Sequence, residues 1–481
     1  MFELNNKQLS NLEEILVASE EFNNDAEIGF EYPSYESNAI VIESGHQPNF
    51  FPHAGLWKKI FLIDHLRRRF EKKGMKPIVL FGFSDYDLCT AQLHTLNKIP
   101  ACNKLGYKKF GFNIEKKDIW KRFNTINKPE EKEWKKIIND ITTHFDSYSI
   151  PPEGALRLNG IIDIMKECFA KATNFSDLNA FFITKIAHKF DIKVHFFRYS
   201  DIQKKCMFTE IWNEIITKIS QYNTIYNTFI EKNHIDIPYI NPELLPLWYH
   251  CSCGGKVKLM QNGEYAIGNC RICASKYKIN LHDLNKIIKD TSPNAIARNI
   301  IFSEGLGTHV FISGTGGSQV YGRISKEISK EFGLNSPVNV SWKSRDWYIG
   351  PAHKKAIRDL RKTCFVEGER NLKEDIDIMI NEKKNILKNM IANSSDNHEI
   401  EKYKEQYRSL DTSISIIKTV FKTTPSFIDI LISQEFDTIK ELWCTALNNI
   451  TDIEQKNNID VDIIYSEEAL ITNEKLENLN G

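Results

Sequence analysis

The 481-residue chain carries no net charge, because 63 Lys and Arg residues balance 63 Asp and Glu. That balance excludes a global field drawing the protein onto nucleic acid or an anionic membrane. No apolar run approaches the roughly 20 residues needed to span a bilayer. The start, Met1-Phe-Glu-Leu-Asn-Asn-Lys, lacks the basic-then-apolar pattern of a secretory signal. A cytoplasmic location without a membrane partner is the expectation. Ten cysteines are too sparse for a disulfide scaffold. Six of them, Cys89, Cys102, Cys168, Cys206, Cys364 and Cys444, are scattered and read as small buried hydrophobes or inert thiols. Apolar content of 41% and charged content of 26% fit a globular protein, long enough for two or three domains or one large domain with insertions.

Short β-branched or aromatic runs, each ending in turn residues and followed by a helical pattern, recur at 39–44, 77–83, 193–199, 309–313 and 338–342. Strands separated by helices predict parallel βαβ units and a doubly wound sheet. Residues 1–100, 181–234 and 283–365 are the expected pieces of this core. A mostly helical insertion over 101–180 and a Cys-rich one over 235–282 separate them. From 366 to 424 the pattern changes: Ile400, Tyr403, Tyr407, Leu410, Ile414, Ile417 and Phe421 recur three and four apart, as in a coiled-coil seam. Leu372, Ile376, Met379, Ile386 and Met390 form an interrupted stripe upstream, and residues 392–398 between the two are turn chemistry. Two antiparallel helices follow, with the seam either internal or a homodimer interface. Residues 425–481 read as a helix and then a strand over 461–465.

In the Cys-rich insertion, Cys251 and Cys253 are separated by sixteen residues from Cys270 and Cys273. Two tight knuckles of this kind present four thiolates tetrahedrally, as in a zinc ribbon, with 257–260 and 265–267 as hairpin strands. The first pair is Cys-x-Cys, and His250 is an alternative ligand. Four protein ligands leave no position for water, so the metal is structural. Lys256, Lys258, Arg271, Lys276 and Lys278 make the element basic, either as a solvated face or as a grip on nucleic acid.

The run Ser44-Gly-His-Gln-Pro-Asn-Phe-Phe is a Gly/His/Pro-rich turn between a strand and a helix, where open α/β sheets build sites. It precedes Pro77-Ile-Val-Leu-Phe-Gly-Phe-Ser-Asp-Tyr-Asp87, Thr291-Ser-Pro-Asn-Ala-Ile-Ala-Arg298 and Val310-Phe-Ile-Ser-Gly-Thr-Gly-Gly-Ser-Gln-Val-Tyr321. In this order the four stretches resemble the BshC family, the cysteine ligases of the bacillithiol pathway. The family pattern is a Gly-Gln-Gln turn, a strand ending Glu-Asp-His-Asp, a Thr/Ser-Pro-Asn-x-x-x-Arg helix start and a Gly-Gly-Pro-Gly-Glu loop. His46 stands for the family's first Gln, Ser84-Asp-Tyr-Asp for its acidic motif, and Gly314-Thr-Gly-Gly-Ser for its loop. The first motif also resembles the Gln-Pro-Asn-Tyr start of WbqC-like proteins. The resemblance implies a Rossmann-like core with inserted segments and a dimerising coiled coil. It also implies a reaction joining the carboxyl group of an amino acid, cysteine or similar, to the amine of a sugar conjugate.

Forming an amide in water requires an activated carboxylate, so ATP or another nucleotide is the expected cofactor beside zinc. The catalytic candidates are His46, Gln47, Asp85 and Asp87. His46 and His53 can bind phosphate or pass protons, or simply cap a helix. Asp85 and Asp87 lie on one side of an extended strand end, to hold an ammonium group or a metal-bound phosphate, or to shape the turn. Gly314, Gly316, Gly317 and Ser318 can form an anion nest before a helix, or only a sharp turn. Lys343 and Arg345 follow the last clear strand of the core, and Arg298 opens a helix; each suits an anionic substrate or a plain ion pair. Cys89 reads as a buried thiol. The alternative to an enzyme is a nucleic-acid- or protein-binding factor using the basic ribbon and the coiled coil.

Overall fold

The computed structural model describes residues 3–29, 39–89, 94–314, 317–344, 350–364, 372–423, 426–448 and 462–466. Six parallel strands form the central sheet: β1 (Ile40–His46), β2 (Pro77–Phe83), β3 (His195–Arg198), β4 (Val310–Ile312), β5 (Val338–Ser344) and β6 (Asp462–Ser466). Their spatial order is β6-β5-β4-β1-β2-β3. The order reverses between β1 and β4, whose connections leave in opposite directions. β2 has the expected bounds and is buried at every residue, as a strand covered on both faces must be.

Helices cover both faces. Strand residues alternate, so Ile42, Val79, Phe81, Phe196 and Val340 enter one core while Val41, Ile78, Leu80 and Phe197 enter the other. Helix Ala54–Lys72 belongs to the first core. Its Trp57 stacks on Phe427 with centroids 4.4 Å apart, and Phe61 meets Trp443 edge-on at 4.6 Å. Those contacts clamp the C-terminal helices Phe427–Ser433 and Phe436–Asn448 onto the sheet. The second core takes helices Asn6–Asp25, Ala295–Leu306 and Gly317–Phe332.

The 101–180 segment holds helices Glu131–Asp146 and Pro152–Lys171, preceded by an antiparallel hairpin, Leu96–Pro100 with Tyr107–Gly111. The Cys-rich element is larger than a hairpin. Five antiparallel strands run in the order Thr291–Pro293, Leu244–His250, Lys256–Asn262, Tyr265–Asn269 and Lys276–Asn280. Its edge strand Thr291–Pro293 leads straight into helix Ala295–Leu306, which Asn294 caps by accepting from the Ala297 N–H at 2.8 Å.

Helices Leu372–Asn393 and Asn397–Lys422 lie where the two stripes predict them. Leu410, Ile414 and Ile417 are buried within one chain, against Ala356 of helix Pro351–Cys364 and against Leu387. Tyr407 and Phe421 pack against the same cluster, so five of the seven stripe residues have an internal partner; on the two helices the exposed large apolar residues, among those described, are Ile386 and Met390 of the upstream stripe. Among the described residues, no helix is long and apolar enough to cross a membrane.

Gly45 and Gly82 face each other across β1 and β2, and the Tyr199 ring lies on them. A Cβ on Gly45 would stand 2.6 Å from the Tyr199 hydroxyl, and one on Gly82 would run into the ring. Gly82→Ala should therefore cost about 1–3 kcal/mol of stability through overpacking. Gly55→Ala, on helix Ala54–Lys72 with open space around the new methyl, should be neutral or stabilising by up to about 1 kcal/mol. Denaturant melts of the two variants provide the comparison.

Candidate functional site

The carboxyl ends of β1, β2 and β3 are in register, pairing His46 with Phe83 and Phe83 with Arg198. The Ser44 hydroxyl donates to the Ile312 carbonyl at 2.9 Å, bringing the end of β4 alongside. The turns after these strands consequently share one edge of the sheet. Three of the four catalytic candidates, together with Arg298, connect there. The Gln47 side-chain amide donates to Asp87 Oδ2 at 3.0 Å, and Arg298 Nη1 lies 3.6 Å from Asp87 Oδ1. His46 immediately precedes Gln47, and its Nδ1 is 2.8 Å from the Gln47 carbonyl. A carbonyl only accepts, so Nδ1 carries the proton and Nε2 presents a lone pair. Burial, reinforced by the Lys59 charge, pushes the His46 pKa down to about 3. The imidazole is neutral at physiological pH.

The turn is pinned from several sides. Asn179, on helix Phe175–Lys189, donates to the carbonyls of Pro48 and His94, both at 2.8 Å. Asn97 bonds to the carbonyls of Phe50 and Phe51. Phe51 has φ +46°, a left-handed conformation uncommon for an aromatic residue. These bonds hold it at the turn that presents His46 and Gln47.

Asp85 takes the turn-shaping role. It is 1% exposed and accepts from the Ser200 N–H at 3.0 Å and from Asn124 at 2.9 Å. Burial lifts its pKa to about 6. His53 is the N-cap residue of helix Ala54–Lys72, and its backbone pairs with Ser426. Gly314 follows β4, Gly317 and Ser318 open helix Gly317–Phe332, and Lys343 is on β5. Gly316 and Arg345 lie outside the described residues. The buried Cys89 thiol is pushed up to about 12 by desolvation, which removes it as a nucleophile.

Several buried polar groups join this edge without any sequence motif to announce them. Glu43 on β1 is 1% exposed; Tyr199 donates to it at 3.3 Å and Thr308 at 3.1 Å. Burial lifts its pKa to about 7. Arg298 stacks over the Tyr199 ring at 4.9 Å. The Lys59 ammonium donates to the Gly45 carbonyl at 3.2 Å. His94 is fully buried and stacks on Phe123 at 4.7 Å, and among the described residues neither ring nitrogen has a hydrogen bond. Its charge would bear on His46, and that of Asp87 bears on it. Lys256 is 4% exposed, with its ammonium over the rings of Tyr86 and Trp248.

The four clustered cysteines converge. All four sulfurs lie within 4.8 Å of one another, with Cys251–Cys253 at 3.3 Å, Cys251–Cys273 at 3.4 Å and Cys253–Cys270 at 3.5 Å. All four are free thiols. A tetrahedron of metal–sulfur bonds of about 2.3 Å has edges near 3.8 Å, close to these separations. The residue at 255 is glycine, and a Cβ there would stand 3.0 Å from the Cys270 sulfur. The cluster can hold a metal such as zinc. His250 instead bonds Ser292 at 2.9 Å and Arg122 at 3.3 Å, so it is no ligand. Of the basic residues read as a ribbon face, Lys256 is buried and Arg271 stacks on Trp120 at 4.0 Å. In comparisons with known proteins, the chain matches no family model and no curated protein.

Two outcomes follow. Metal analysis of purified protein should find one tightly held ion per chain. Cys270→Ser should lose it along with several kcal/mol of stability, because metal binding contributes directly to folding; a metal-free, equally stable wild type would refute this. The second concerns Glu43, whose folded pKa is raised above its unfolded value. Its favourable contribution is present below about pH 4.5 and lost as pH rises through about 7. Glu43→Gln should therefore gain on the wild type by an amount on the order of 2–3 kcal/mol between those limits. Chemical melts of both proteins across that range read the difference directly and cancel the buried histidines, which titrate in each.

Proposed function

We propose that this chain is an amide-forming ligase. It joins the carboxyl group of an amino acid, cysteine or similar, to the amine of an acceptor such as an amino-sugar conjugate, and uses ATP or another nucleotide to activate the carboxylate. The observation that carries this reading is the connected set His46–Gln47–Asp87–Arg298, drawn from three separated sequence regions to one sheet edge. The strand order and the helices on both faces support a Rossmann-like core, in which ligands sit outside the strand carboxyl ends where the order reverses. The motif order shared with the BshC ligases supports the reaction type.

In this reading Arg298 holds the carboxylate or the activating phosphate, and Asp87 holds the incoming ammonium group. The amine nitrogen forms the new C–N bond. The activating phosphate departs with the electrons of the C–O bond. The ammonium sheds two protons on the way to the amide: one passes to Asp87 before the nitrogen attacks, and the second to Nε2 of His46 or to the departing phosphate. Zinc is the metal for the four cysteines, in a structural role because no coordination position is left open. A homodimer would use the uncovered part of the helical stripe around Ile386 and Met390. The binding-factor alternative loses the buried Lys256 from its basic face, while Lys258, Arg271, Lys276 and Lys278 stay exposed.

The test is nucleotide consumption by the full chain, scanned over amino acids including cysteine, with and without an amino-sugar acceptor. Amino-acid-dependent release of phosphate or pyrophosphate is expected. His46→Ala and Asp87→Asn should each lower it about 10²-fold or more with little change in melting temperature. No amino-acid-dependent turnover, or full activity in both variants, would reject the ligase.

A further inference from the structure

The cations at this edge have more hydrogen-bond donors than the described residues have acceptors to meet them. Lys256 is more than nine-tenths buried, yet no hydrogen bond or ion pair of its ammonium occurs among the described residues; it has only the faces of Tyr86 and Trp248. Among the described residues Nη1 of Arg298 is buried without a hydrogen bond, and Asp87 Oδ1 is 3.6 Å away. Lys59, 8% exposed, spends one of its three donors on the Gly45 carbonyl. The three cations share one neighbourhood: Lys256 lies over Tyr86, whose ring centroid is 6.1 Å from that of Tyr199, Arg298 stacks on Tyr199, and Tyr199 rests on Gly45, whose carbonyl takes Lys59. The described carboxylates nearby are already engaged. Asp87 takes Gln47 and faces Arg298, Asp85 accepts from Ser200 and Asn124, and Glu43 is sealed behind Tyr199 and Thr308. Buried donors and charges left in this state are costly unless a ligand completes them.

We propose that Arg298, Lys256 and Lys59 form a subsite for an oxyanion, a phosphoryl or carboxylate group of the substrate, and that the Cys-rich element serves to deliver Lys256 to it. The delivery is visible in the chain path. Lys256 begins the strand immediately after the Cys251–Cys253 knuckle. That knuckle is docked on the 101–180 segment, where the Arg122 N–H donates to the Gly254 carbonyl at 2.9 Å. The other wall is tied to the same sheet, since edge strand Thr291–Pro293 pairs with Leu244–His250 and leads into the helix carrying Arg298. One five-stranded sheet thus sets the positions of two of the three cations. An oxyanion supplies several lone pairs to one place, which the engaged carboxylates do not.

This inference rests on the proposed location of the site but not on ligase chemistry, so its test reads binding without turnover. Calorimetric titration of the full, metal-loaded chain uses sodium pyrophosphate and, separately, sodium succinate. One saturable site is expected, weakened about tenfold or more in Lys256→Gln and in Lys59→Gln. Lys258→Gln, an exposed position on the same strand, should bind like the wild type. Preference for pyrophosphate assigns a phosphoryl group, and preference for succinate a carboxylate. If neither anion binds, or if both Lys256→Gln and Lys59→Gln bind as tightly as wild type, the subsite is refuted. If Lys256→Gln alone fails to fold, Lys59→Gln decides the matter. Anion binding without nucleotide turnover would leave the subsite standing and remove the ligase.

Discussion

The candidate site's edge of the sheet depends on a ring lying flat against backbone. Gly45 and Gly82 face each other on neighbouring strands, and the absence of two methyl groups lets Tyr199 settle on the sheet itself. Its hydroxyl bonds Glu43 on one side, and the guanidinium of Arg298 stacks on its outer face. Arg298 in turn stands opposite Asp87, which receives Gln47. The succession of glycine pair, ring, cation and carboxylate converts strand register into the position of a charged group. A side chain at either glycine would push the ring outward and with it everything stacked above.

Electrostatics at this edge is dominated by desolvation. The same burial holds the His46 imidazole neutral, lifts Glu43 and Asp85 toward neutrality, and pulls Lys59 and Lys256 down to about 8. Groups of opposite charge are thereby brought closer to a common titration range, which is the condition for exchanging protons near neutral pH. Positive charge still prevails around Arg298, and that asymmetry separates a place built for an anionic ligand from a structural ion-pair network. The Arg198 cluster is an instance of the latter: one cation there is met by Asp177 at 2.7 Å, Asp25 at 2.9 Å and Asp201 at 3.2 Å.

Much of the framework was legible in the residues because it rests on local pattern. The run 77–83 is apolar apart from its glycine and matches a strand buried on both faces. The four cysteines announced a cluster by spacing, and the apolar stripes located two helices to within a few residues. What covers the second stripe was not legible, since periodicity says that a face is apolar and not which partner fills it; here Ala356 and Leu387 do. The hairpin at 96–111 was missed because Lys98, Lys108 and Lys109 mask its alternation. The sequence motifs led to His46, Gln47, Asp87 and Arg298, but not to Glu43, Lys59, His94, Tyr199 or Lys256. Each of these is an ordinary letter in its own segment and gains meaning only from burial, a property of the whole fold. Lys256 is the sharpest case, since in the sequence it belonged to a basic surface.

The shared sheet also bears on how the molecule can be taken apart. An inserted element joined to its host by two linkers can be cut out, moved or exchanged. Here the insertion's first strand, Leu244–His250, is closed on one side by Thr291–Pro293, which lies beyond the insertion in the chain. Excising 235–282 would strip that segment of the strand it pairs with and expose unpaired N–H and C=O groups, an edge prone to joining other chains. It would also loosen the entry to the helix that carries Arg298. The Cys-rich element is therefore not modular: core and insertion interlock, and neither has a complete boundary without the other.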